Sequence, residues 1–259
     1  GNAQDGISGG VSVKTGASVL KSGDILVKGG HSQDSGGDIQ FVASSGTLTG
    51  GSISMVSGKG SSGGNILIAS SASELGSAGT ITIETGTSQM ATSESSSLSI
   101  KSGVSAGIES STIGGISIVA GKSTNIGGKI LMQAGSSETQ TGGAVNVISG
   151  HSDVAISGQI TIASNSGQTK TGDVSILSGS SLNGETGSVS ILSGDSQSVS
   201  GDLELSTGNT VEGSAGNIIA RAGSSSASTG GSIELVTGKG FLGGGGDIIM
   251  QSASGNDSS

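Results

Sequence analysis

The chain of 259 residues carries 52 Gly and only two Phe, has no Pro, Cys, Trp or Tyr, and bears a formal net charge of −9. So few bulky side chains exclude a broad globular core, and without further pattern the composition would belong with low-complexity chains. The negative balance argues against nucleic acid as a partner, which calls for clustered Lys and Arg, and no apolar run reaches the ~18 residues that span a bilayer.

The pattern that rescues the chain from low complexity is an internal repeat. Gly172-Asp173-Val174-Ser175-Ile176-Leu177-Ser178-Gly179 returns fifteen residues later as Gly187-Ser188-Val189-Ser190-Ile191-Leu192-Ser193-Gly194, and looser copies run throughout. Let the first apolar residue of each copy be position 0. It is Val11, Ile25, Ile39, Ile53, Ile66, Ile81, Leu98, Ile116, Ile130, Val145, Ile160, Val174, Val189, Leu203, Ile218, Ile233 and Ile248, mostly 14 or 15 residues apart. Position +2 is apolar as well (Val13, Val27, Phe41, Met55, on to Met250), and position +4 is small (Thr15, Gly29, Ala43, Ser57). Alternation of this kind predicts a strand with one face inward, and the β-branched residues at position 0 suit a pleated surface. Position −2 is Gly in every copy but one, where it is Ser96, and position +5 is usually Gly. Gly reaches positive φ without steric cost, so both positions are read as corners.

The remainder of each copy is polar. Position +7 is Ser in Ser18, Ser32, Ser73, Ser123, Ser137, Ser152, Ser181, Ser196 and Ser225, and near +9 stands a lone apolar residue such as Leu20, Leu48, Leu75, Met90, Val154 or Leu242. A small residue followed by an apolar one predicts a second, weaker inward strand. The expected fold is therefore all-β: a parallel β-solenoid (β-helix) of about 17 coils, roughly 15 residues per coil, with a thin Ile/Val core. Stacked at about 4.8 Å, such coils would form a rod of roughly 80 Å. Two repeats sharing one larger coil stays open. Antiparallel consecutive segments joined by the polar stretches are disfavoured, because every copy runs in the same direction.

In chain order, residues 1–8 hold no complete copy, and the repeat runs from about residue 9 to residue 254 as one domain covering 1–259. The copies to Ser77 are regular in length. Residues 87–114 carry extra residues, read as a surface loop in two irregular coils, and the register is steady again from Gly114. Gly255 to Ser259 reads as a polar tail. No initiator Met and no signal-peptide pattern are present, so the chain reads as a mature product or an excerpt of a longer array. Absence of Cys fits any redox compartment. An uncapped stack would leave a sheet edge able to pair with another chain.

The outward face carries a second signal. Position +3 is apolar at Val42, Val56, Val119, Ile148, Leu177, Leu192 and Val236. Where +3 is Lys, Gln or Arg, position +1 is apolar instead: Leu26, Leu131, Ile219 and Ile249. A row of such residues is an apolar strip, and strips of this kind mark interfaces. These eleven residues are the candidate self-association site.

No reaction chemistry gathers anywhere. His31 and His151 both follow the corner Gly but sit eight copies apart, which by stacking would put them roughly 40 Å from one another. Without Cys or paired His a zinc site has no ligands, and a Ser-His-Asp triad has no positioned His. Asp24, Asp38, Asp173, Asp202 and Asp247 recur at position −1. Stacked carboxylates can hold calcium, but turn hydrogen bonding is the simpler role. Thr80-Ile81-Thr82 is the one Thr-x-Thr triplet on the expected outer face of the kind that ice-binding solenoids repeat, so no continuous Thr rank forms. Gly243 to Gly246 lacks the Lys-Ser/Thr of a phosphate loop. No catalytic residue, cofactor or metal is expected. Ser and Thr are candidate acceptors for O-linked glycans, and Asn256-Asp257-Ser258 is an N-glycosylation sequon.

Copies such as Gly51-Ser52-Ile53-Ser54-Met55-Val56-Ser57-Gly58 resemble the Gly/Ser-rich β-solenoid repeats of large secreted proteins of diatoms and related algae. The resemblance is one of repeat style over nearly the whole chain, and it implies a secreted fibrous or surface protein. The expected function is structural and not enzymatic: an extracellular filament or coat, with the protein itself as partner. The alternative is an adhesin-like or surface-binding module for glycan, mineral or ice.

Overall fold

The computed structural model describes residues 8–87, 96–103 and 114–253. Among them there is no helix and no strand. The expected parallel β-solenoid (β-helix) is therefore not formed, and neither its sheets nor its stacked coils exist among the described residues. The lengths derived from stacking, for the rod and for the separation of His31 from His151, fall with it.

The chain divides into two units, Gly1–Ile130 and Leu131–Ser259. Each shows the same local construction, which has two parts: a short apolar segment and a closed polar loop.

The loops carry the backbone hydrogen bonds. In the first unit Gly51, Gly64, Gly79 and Gly128 donate their backbone N–H to the carbonyls of Ser44, Gly58, Ser71 and Gly121, at 2.8, 2.9, 3.2 and 2.9 Å. In the second unit Gly143, Gly158, Gly231 and Gly246 donate to Gly135, Gly150, Gly223 and Gly238, at 2.9 to 3.1 Å. Each bond runs from position −2 of one copy back to position +5 of the copy before it. The polar stretch is thus tied at its neck, six to eight residues apart in sequence. At that neck the backbone passes against the side chain at position +4. A Cβ placed on Gly128 would sit 3.1 Å from the Ala120 Cβ, on Gly143 3.3 Å from that of Ala134, and on Gly231 3.4 Å from that of Ala222. Position +4 accordingly supplies most of the best-covered residues: Gly29, Ala43, Ser57, Ala120, Ala134 and Ser149.

This corrects the reason for the glycines. Among the described residues only Gly213 has a positive φ, at 105°. At Gly51, Gly64, Gly79, Gly128, Gly143, Gly158 and Gly231 the neck leaves little room for a side chain, with a Cβ 3.1–3.4 Å from its nearest neighbour, and the residue at position +4 is small there for the same reason, whereas at Gly37, Gly187 and Gly201 a Cβ would meet nothing within 4 Å. Positive φ is not the cause at these necks.

The apolar segments make no ladder. Among the described residues the backbone-to-backbone bonds are the eight at the loop necks, so the described segments satisfy none of their N–H and C=O groups on each other. No side chain among the described residues is buried. Position 0 is the better covered in most segments, though not at Val11, which is 97% exposed against 74% at Val13, and in most the exposure climbs outward: in one copy Ile39 is 46% exposed, Phe41 72% and Val42 84%. The alternation read from sequence is real, but it sorts half-exposed from exposed residues instead of core from surface. The thin Ile/Val core does not form. A buried Ile contributes about 1.5–3 kcal/mol and a half-covered one less, whereas fixing the backbone of one residue costs about 1–2 kcal/mol and more at Gly. Two half-covered side chains per copy are too few to hold a coil of Gly and Ser against its neighbours. In total the chain exposes 26730 Å²; a compact protein of 24.4 kDa would expose roughly 10,000 Å².

The expected second strand is likewise absent. Leu20, Leu48, Leu75, Val154 and Leu242 near position +9 are all essentially fully exposed, and Met90 lies outside the described residues.

Candidate functional site

The Ser residues at position +7 have a different task from the one expected. In all nine copies where Ser was noted there, its Oγ accepts a backbone N–H two or three residues further on. In the first unit Leu20, Asp34, Gly76 and Asn125 donate to Ser18, Ser32, Ser73 and Ser123, at 2.9 to 3.3 Å. In the second, Gln140, Ala155, Gly184 and Ser198 donate to Ser137, Ser152, Ser181 and Ser196, at 2.9 to 3.1 Å. Ser225 accepts from both Ala227 and Ser228. These are hydroxyl-stabilised turns, the local side chain-to-backbone bonding that Ser and Thr supply to tight turns.

Four copies carry Gly at +7 instead: Gly46, Gly60, Gly167 and Gly240. There a Cβ would collide with a backbone carbonyl oxygen, that of Thr49, Ser62, Lys170 and Gly244 respectively. The loops thus come in two kinds, one that needs the Ser hydroxyl and one that tolerates no side chain. Thr210 fits neither, because its hydroxyl donates to the Glu212 carbonyl at 3.0 Å.

The eleven residues expected to mediate self-association are all exposed, from 62% at Ile219 to 86% at Val56 and Ile148. Leu26, Val42, Val56 and Val119 belong to the first unit, and Leu131, Ile148, Leu177, Leu192, Ile219, Val236 and Ile249 to the second. Their difference from position 0 is one of degree, and at Ile218 and Ile219 it vanishes, both being 62% exposed. Every apolar segment, not one face of it, is therefore available to a partner.

In the first unit two successive segments frame an open hollow of ≈ 520 Å³ lined by Phe41, Ile53, Ser54 and Met55. Its wall is apolar apart from Ser54, and these residues stand at position +2 of one copy and 0 to +2 of the next.

Ionisable groups are solvated. His151 Nε2 lies 3.1 Å from Asp153 Oδ1, both side chains being exposed, and this is the one ion-pair geometry among the described residues. His31, Lys59, Lys122 and Lys239 are exposed at their loops. Among the described residues no three His, Asp or Glu side chains gather where one metal ion could be held. The Asn256 sequon and most of the irregular stretch 87–114 lie outside the described residues. No described segment is a helix long and apolar enough to cross a membrane.

Comparison with known protein families, curated proteins and solved structures finds no match to this chain.

Proposed function

We propose that the chain is a structural repeat protein that associates with further copies of itself, through its apolar segments, into an extracellular filament or coat. One observation carries this reading: no apolar side chain among the described residues is buried, although an Ile, Val or Leu pair recurs in every copy. Monomeric proteins scatter single exposed aliphatics, but recurrent exposure of this extent marks surface that is covered in the working state. Among the described residues the segments also leave their backbone N–H and C=O groups without backbone partners, and such groups favour another backbone as neighbour. A second copy of the same repeat supplies both kinds of partner at the same period. The loops, rich in Ser and Thr and carrying a net negative charge, would face water. The extracellular placement rests on the likeness of the repeat to secreted Gly/Ser-rich proteins.

The test is concentration-dependent sedimentation with electron microscopy of the undenatured protein. The reading expects large, regular fibres or sheets above a threshold concentration. A chain that remains monomeric up to about 1 mM, a concentration at which even weak specific contacts are populated, would overturn it.

A further inference from the structure

The two units differ in charge. Gly1–Ile130 holds seven Lys against eight Asp and Glu, a net of −1; Leu131–Ser259 holds three Lys and Arg against eleven, a net of −8. Between Lys170 and Arg221 six carboxylates follow one another without a single cation: Asp173, Glu185, Asp195, Asp202, Glu204 and Glu212. No Lys or Arg pairs with a carboxylate among the described residues, so this charge is not neutralised internally.

We infer that self-association begins in the first unit, at the hollow framed by Phe41, Ile53, Ser54 and Met55, and that its occupant is the same stretch of a second copy. This rests on the self-assembly reading above and makes it specific. Two observations meet there. The hollow carries one of the two Phe residues and one of the four Met residues of the chain, the kinds of side chain that dominate contact energetics. It also lies in the half of the molecule that can approach its own copy at the smaller electrostatic cost. Two second units approaching one another bring −8 against −8, a repulsion left largely unscreened once they come within a Debye length of about 10 Å at 0.1 M salt; two first units bring −1 against −1. A small-molecule ligand fits the hollow poorly, because such sites depend on several placed polar groups to orient what they bind, and this wall offers Ser54 alone.

The test is sedimentation equilibrium of the full chain in about 20 mM salt, where charge repulsion is least screened. Phe41→Ser with Met55→Ser is compared with Ile176→Ser with Ile191→Ser, the matched positions in two successive copies of the second unit. The first pair is expected to weaken self-association by at least about ten-fold, the loss that truncating a contact anchor gives. The second pair is expected to weaken it by less than about three-fold. Phe41→Leu, which keeps the site apolar, is expected to stay within about three-fold of the unchanged protein. Protection of the Gly51 amide, which closes the loop between the two framing segments, reports that the local structure persists in each variant. Equal weakening by the two pairs would overturn this inference and leave the self-assembly reading standing. A full chain that never associates would overturn both.

Discussion

Ser96 donates its hydroxyl to the carbonyl of Gly86 at 2.6 Å, making with a side chain the bond that Gly64 makes to Gly58 with its backbone N–H. Ser96 is the one residue at position −2 that is not Gly, and Gly86 is the +5 residue of the copy before it. The neck is thus closed in this copy too, by different atoms. Ser96→Ala should therefore release this neck, whereas Ser97→Ala should not. The separation is measurable as altered carbonyl and amide chemical shifts at Gly86 and its neighbours. Indistinguishable spectra for the two variants would show that the hydroxyl bond has no part in closing the loop.

Gly127 and Gly128 give an internal control for the neck itself. A Cβ on Gly128 would lie 3.1 Å from both the Ala120 Cβ and the Gly121 nitrogen, whereas one on Gly127 meets nothing within 4 Å. Gly128→Val should break the bond from Gly128 to Gly121 and raise the exchange rate of that amide by roughly five-fold, the equivalent of about 1 kcal/mol for one exposed hydrogen bond. Gly127→Val should leave it unchanged. Equal effects would mean that backbone entropy, not close approach, governs the site.

The two kinds of loop should not exchange residues freely. Ser225→Ala removes the acceptor of two amides, those of Ala227 and Ser228, at a cost of about 0.5–1.5 kcal/mol. Gly46→Ala instead pushes a methyl group into the Thr49 carbonyl and forces the backbone to move. Amide shifts should change at two residues in the first variant and across the whole loop in the second. A local response to Gly46→Ala would argue that the two kinds are interchangeable.

Association through the apolar segments should carry the heat-capacity signature of buried apolar surface. Dilution calorimetry at several temperatures should give an enthalpy of association that becomes more negative on warming. A temperature-independent enthalpy would point to polar contacts between loops as the cohesive force.

Much of this construction could be read in the sequence. The period, the apolar residues at 0 and +2, the small residue at +4, and the recurrent Gly at −2 and Ser at +7 all occupy equivalent places in the structure. Their physical meaning was less accessible. A Gly at position 143 would suit either a positive φ or a close approach, and the sequence shows only that Gly stands there, whereas the structure shows the close approach alone. Ser137 followed by an apolar or polar neighbour looks the same whether its hydroxyl turns inward or caps a turn. The strands were the larger difference. Alternation at Ile39, Phe41 and Val42 says which side chains share a side, but pairing depends on the distance to the next segment. That distance depends on how much apolar surface the segments can cover together. With Ser and Gly filling the rest of each copy, a single chain has too little. The eleven residues expected to mediate self-association are apolar and exposed. That position 0 would be nearly as available to a partner was not legible, because the reading assumed a core to hide it.

Each of the eight backbone-tied loops closes on residues of its own neighbourhood, and the loop length varies without altering the neck: the span is six residues at Gly58 and Gly64 and eight at Gly135 and Gly143. Such a chain is indifferent to its own tally. A whole copy can be inserted or excised and the remaining clasps need no refitting, so changes in copy number alter reach while leaving the grammar of each contact intact. Two nearly identical copies, 172–179 and 187–194, already stand in succession.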